Sequence, residues 1–204
     1  MRERAKALLN AHPTLWLVLS LPAAASSYFY LTGETSYGQF IHSSGDYAVW
    51  LLMATLAVTP LRLMTGSAGW VMWLMRRRRD LGVATFAYAL LHTVVYLERK
   101  ASLGLIWTEA QEPGLATGWI AGLIFAVLAI TSNDISVRKL GPAWKRLHRV
   151  VYFGAILTFV HWLLVAFDPT TAILHAAALA AIEAVRIGLS VRKRRARRTG
   201  ARAP

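Results

Sequence analysis

Residues 144–162 read WKRLHRVVYFGAILTFVHW, and how that stretch divides decides the fold. It opens on a basic, aromatic edge (Trp144, Lys145, Arg146, Arg149) and passes into an apolar run that carries His148 and His161. The two histidines are thirteen residues apart, roughly 20 Å along a helix and about two-thirds of a bilayer's hydrocarbon core. One imidazole therefore sits at a membrane edge and the other lies well inside. Ionisable groups at such depth are costly and mark function. A neutral imidazole there makes a good axial ligand for haem iron.

Working outward, apolar runs of similar length recur through the 204 residues, 56% of which are hydrophobic. Together they predict an all-α integral membrane protein of six transmembrane helices. The spans are expected at Thr14–Leu31, Tyr47–Leu63, Leu81–Leu97, Ala116–Thr131, Arg146–Phe167 and Thr171–Val191. Ala23-Ala24-Ala25 has the look of a signal-peptide cleavage site, but the apolar run continues through Tyr28, Phe29, Tyr30 and Leu31, which favours a first span. The run GWVMWLM before Arg76–Arg79 is too short to cross and reads as an interfacial segment within a loop. Gly118 and Gly122, four apart, suit the close approach of another helix. The expected organisation is a cytoplasmic arm (1–13), a six-helix domain (14–191) and a basic disordered cytoplasmic tail (192–204).

The formal net charge of +13 has a topological explanation. With both termini in the cytoplasm, every lysine and arginine except Arg99 and Lys100 falls on the cytoplasmic side, as the positive-inside rule requires. The lipid bilayer is thus the expected partner of this charge, and no nucleic acid is. There are no cysteines, which excludes disulfides, thiolate-ligated iron and iron–sulfur clusters.

Six histidines are present. His12 falls in the arm, and His175 near the outer start of the sixth span, where solvation accommodates an imidazole. His92 and His161 lie about 17 and 21 Å from the inner starts of the parallel third and fifth spans. At similar depths they can clamp one porphyrin, so a haem is expected between helices 3 and 5 of the bundle. Gly154 and Thr158, on the His161 face, suggest room for it, and Tyr88 and Tyr96 flank His92 as candidate aromatic walls. Two histidines hydrogen-bonded to neighbouring helices would account for the same spacing. His148 is a candidate ligand of a second haem at the cytoplasmic edge. The third span offers only Arg78 and Arg79 at that level, and a guanidinium cannot coordinate iron.

The chain resembles the MsrQ/YedZ family, haem-binding membrane subunits within the ferric-reductase-like transmembrane proteins. The stretches that carry the resemblance are IHSSG (residues 41–45), LAVTPLR (56–62), RRDLGVATFAYALLHTVVY (78–96), TSNDISVRKLGPAWKRLHRVVY (131–152) and His161-Trp162. It implies a b-type haem protein of the bacterial inner membrane. Such a protein takes electrons from the quinone pool, with flavin (FMN) associated, and passes them to a periplasmic molybdopterin-containing methionine sulfoxide reductase that repairs oxidised proteins. It also implies His92, His148 and His161 as haem ligands, matches His42 to a family histidine on the periplasmic loop, and places turnover on methionine sulfoxide in the partner. A stand-alone ferric or quinone reductase, or a non-redox transporter or anchor, remain the alternatives. No G-x-G-x-x-G run is present, so the chain shows no dinucleotide-binding signature.

Overall fold

A computed structural model describes residues 12–200; the remainder of the arm and the last four residues of the tail lie outside the described residues. The long helices are α1 (His12–Leu31), α2 (Tyr37–Thr65), α3 (Gly69–Glu98), α5 (Pro113–Ile130), α8 (Val151–Val165) and α9 (Thr170–Gly200). Short helices fill two connections: α4 (Leu103–Glu109), then α6 (Asp134–Leu140) and α7 (Pro142–Leu147). A 3-10 turn, His148–Val150, leads into α8. Six helical segments are long and apolar enough to cross a membrane, α7, the turn and α8 counting as one. Large side chains such as Leu17, Leu123, Ile156 and Leu174 face outward, as a lipid-facing surface requires. This is a multi-pass membrane protein.

Two antiparallel pairs organise the bundle, α2 with α3 and α5 with α8; they form its two most extensive helix–helix interfaces. Small residues permit the second pairing. A Cβ on Gly154 would come within 3.0 Å of the Phe125 ring, and one on Gly114 equally close to Val165. In lipid, such backbone proximity drives association through van der Waals contact. Leu52 and Leu56 of α2, Ala121 and Phe125 of α5, Ala155 and Phe159 of α8, and Leu179 of α9 close the core between the pairs.

Several expected boundaries move. The second span begins ten residues early, at Tyr37. There Ser36 and Gln39 form a capping box, and the polar turns that follow bury Phe40 and Ser44. Pro60 does not end this helix, which stops at Gly66 (φ 68°). GWVMWLM and the four arginines are the opening turns of α3 and not a loop, with Val71 fully buried. The basic loop 132–145 is helical on either side of Gly141 (φ 49°), and Asn133 caps its first part. At the end, α9 continues past 191 to Gly200, so 192–200 is helical where disorder was expected. Residues 192–198, RKRRARR, are good helix formers, and Thr199 and Gly200 come only at the end.

Candidate functional site

His92 lies six residues before the end of α3, and His161 four residues before the end of α8. Both are therefore near the face opposite the arginines, about 9 and 6 Å from their helix ends. The antiparallel pairings bring them together: the ring centroids are 6.4 Å apart and the ring planes nearly perpendicular, at 89°.

Each ring is fixed by a backbone carbonyl of the helix it packs against. His92 Nδ1 lies 2.9 Å from Ile41 O on α2, and His161 Nδ1 lies 2.8 Å from Gly114 O on α5. A carbonyl oxygen only accepts, so each Nδ1 carries the proton and donates. In a neutral ring this leaves Nε2 with its lone pair, and no hydrogen bond among the described residues engages either Nε2. A second-sphere carbonyl on Nδ1–H is the usual way a ligating imidazole is oriented and made more basic.

The two rings could together hold a metal. With metal–imidazole bonds of ~2 Å and the ring centre ~1.1 Å behind the nitrogen, rings on opposite sides of one metal lie ~6.3 Å apart. Two protein donors do not complete the shell of a bare ion, and no cluster of three or more His, Cys, Asp or Glu side chains occurs among the described residues. A porphyrin brings four nitrogens of its own and asks for these two more.

Three other histidines are committed elsewhere. His148 Nε2 lies 3.1 Å from Thr131 Oγ1, whose own hydrogen goes to Val127 O, so the imidazole N–H donates to the hydroxyl. Trp144 stacks on the His148 ring at 3.9 Å and donates its indole N–H to Thr131 O. His148 thus ties α5 to the start of α8 at the arginine-bearing end. His175 donates from Nδ1 to Thr171 O and accepts the Trp50 indole N–H at Nε2. His42, on α2 and not on a loop, pairs with Asp46 at 3.1 Å.

The expected surroundings of the site differ in three places. Gly154 packs on Phe125 and Ile124, so it makes room for a helix and not for a ligand. Tyr88 points to α1, where its hydroxyl donates to Leu19 O and accepts from Ala23 N–H. Tyr96 donates to Glu109, which also binds Lys100. Near the opposite face, Arg79 bonds Asp134 at 2.7 Å and holds that carboxyl below its ordinary range. The residue that spacing assigned only to helix packing is the one against the His161 ring: a Cβ on Gly118 would meet His161 Nδ1 at 2.7 Å.

Comparison with known proteins identifies the family. The family model for the ferric reductase like transmembrane component matches residues 44–159. The chain is 36% identical over 178 residues to the protein-methionine-sulfoxide reductase heme-binding subunit MsrQ of Brucella ovis, covering 82% of this chain and 79% of that one. The MsrQ proteins of Brucella canis and Brucella melitensis match to the same extent. The chain belongs to the MsrQ family. No solved structure matches it. The ferric-reductase-like match takes in His92 and His148 and stops two residues short of His161, whereas the MsrQ relatives align with most of the chain.

Proposed function

We propose that the chain is a b-type haem electron-transfer subunit of a methionine sulfoxide reductase system, with His92 and His161 as the axial ligands of one haem between α3 and α8. The observation that carries this reading is the pair of Nδ1-anchored imidazoles at the separation of a bis-imidazole iron. Bound there, haem iron would supply one-electron redox chemistry. The chain's own contribution is to hold two neutral imidazoles rigidly and keep both Nε2 lone pairs available. It also seats them a few ångströms inside one face.

That face is the periplasmic one in the orientation we propose, with both termini and the arginines in the cytoplasm of the inner membrane. The reductase that receives the electrons is then a periplasmic molybdopterin enzyme, and turnover on methionine sulfoxide is its own. Electrons enter from the quinone pool, with FMN as the associated flavin. For His148, its engagement by Thr131 and Trp144 supports a structural tie, so we propose a single haem and no second site.

The test is a pyridine haemochrome assay on purified protein, with the haem-to-protein ratio and EPR. One low-spin equivalent is expected. H92A and H161A should each lose it, whereas H148A should keep it. Perpendicular imidazole planes leave the iron's two upper π-type orbitals nearly degenerate, so a single large-g EPR feature is expected. Full wild-type spectra in either deep variant would refute the ligand pair. Two bis-histidine haems in the wild type would refute the stoichiometry.

A further inference from the structure

The two imidazoles sit in cradles that repeat each other. Ile41 O accepts from His92 Nδ1–H, and it also accepts a hydroxyl, from Ser44 three residues on, at 3.1 Å. Gly114 O accepts from His161 Nδ1–H, and likewise from Thr117, three residues on, at 2.7 Å. The residue four on is glycine in both, and both glycines face the ring. A Cβ on Gly45 would stand 3.4 Å from His92 Nδ1, and one on Gly118 2.7 Å from His161 Nδ1. The two cradles occupy corresponding places, near the starts of α2 and α5, opposite histidines near the ends of α3 and α8. Ser44 is buried, and its hydroxyl also lies 3.4 Å from His92 Nδ1.

We propose that Ser44 and Thr117 are positioning residues that set the reduction potential of the iron by sharing the carbonyls that anchor its ligands. The inference rests on the haem reading above. A carbonyl oxygen already bonded to a hydroxyl is a poorer acceptor for a second donor. Each hydroxyl therefore weakens the adjoining Nδ1–H···O bond and keeps the imidazole less basic than the carbonyl alone would make it. A less basic axial pair favours ferrous over ferric iron, so the hydroxyls hold the potential up. At the second cradle Gly118 lets carbonyl and ring come this close, since a Cβ there would displace the ring.

Potentiometric titration of the purified haem protein reads this directly. S44A and T117A should each keep low-spin haem with a potential more negative than wild type, with S44A/T117A lower still. S44T and T117S, which restore a hydroxyl at each cradle, should return to the wild-type value. Unchanged or raised potentials in the alanine variants would overturn the inference while leaving the haem reading intact. So would loss of haem from both alanine variants with retention in S44T and T117S, since the hydroxyls would then hold the site and not tune it. If only one alanine variant loses haem, the other cradle's pair decides the question. A wild type without low-spin haem would remove the reading and the inference together.

Discussion

At the scale of single residues, Gly118 separates a steric requirement from a merely permissive one. An alanine there must displace the His161 ring, because three of the ring's atoms stand within 3.1 Å of the added carbon. At Gly45 the same change meets His92 at ordinary contact distance. G118A should therefore lose most of its low-spin haem and about 1–3 kcal/mol of stability, as overpacking typically costs. G45A should keep its haem. Equal haem contents in the two variants would refute the distinction. H175A should leave the spectrum unchanged, since both its nitrogens are spent on Thr171 and Trp50. The pairing was legible in the sequence because counting residues along two parallel spans puts His92 and His161 at one level. That level lies near one face and not well inside, since α3 starts twelve residues before the expected span. The cradles were not legible. Backbone carbonyls carry no residue signature, and the one hint, Ser44-Gly45 matched by Thr117-Gly118, becomes meaningful only when α2 and α5 are seen opposite the histidines.

Among the elements, α1 stands out for how lightly it is held. None of its described residues is buried, and a cavity of about 110 Å³ separates it from α3 beside Trp16, Leu19 and Ala84. The Tyr88 hydroxyl bridges Leu19 O and Ala23 N–H, the donor and acceptor that one regular helical turn would join, next to Pro22. Y88F should keep its haem, lose about 1 kcal/mol of stability, and open the Thr32–Ser36 connection to protease. An unchanged melting and cleavage profile would show that the bridge contributes nothing. The existence and number of the spans were legible from apolar runs alone. Their ends were not, because runs of charge read as loops. The arginines of α3 lie inside a helix that continues below them, where Val71 packs inward, and Arg77 among them is itself buried. Hydropathy registers where a bilayer could be and says nothing of how far a helix extends past it.

For the whole molecule, the native absence of cysteine makes orientation simple to measure. Single cysteines at Gln111 and Ser67, both exposed, lie at opposite ends of the bundle. A membrane-impermeant maleimide should label Q111C in intact cells and S67C only after the inner membrane is opened. The reverse pattern would invert the proposed topology and put the imidazole pair near the cytoplasm.

The paired arrangement of the helices also bears on how the molecule is assembled. His92 and its cradle belong to one hairpin, and His161 and its cradle to the other. Neither half can saturate an iron by itself. Any free energy released when both rings ligate is therefore free energy of joining the halves, in the same way that a ligand stabilises the only state able to bind it. On the proposed ligation, cofactor supply would become a checkpoint on biogenesis. A chain severed at Gln111 and produced as two fragments should co-purify more completely when haem is abundant than when its synthesis is blocked. In a starved cell the intact protein would then rest on the core between its hairpins alone, and be more open to membrane proteases until its iron arrives.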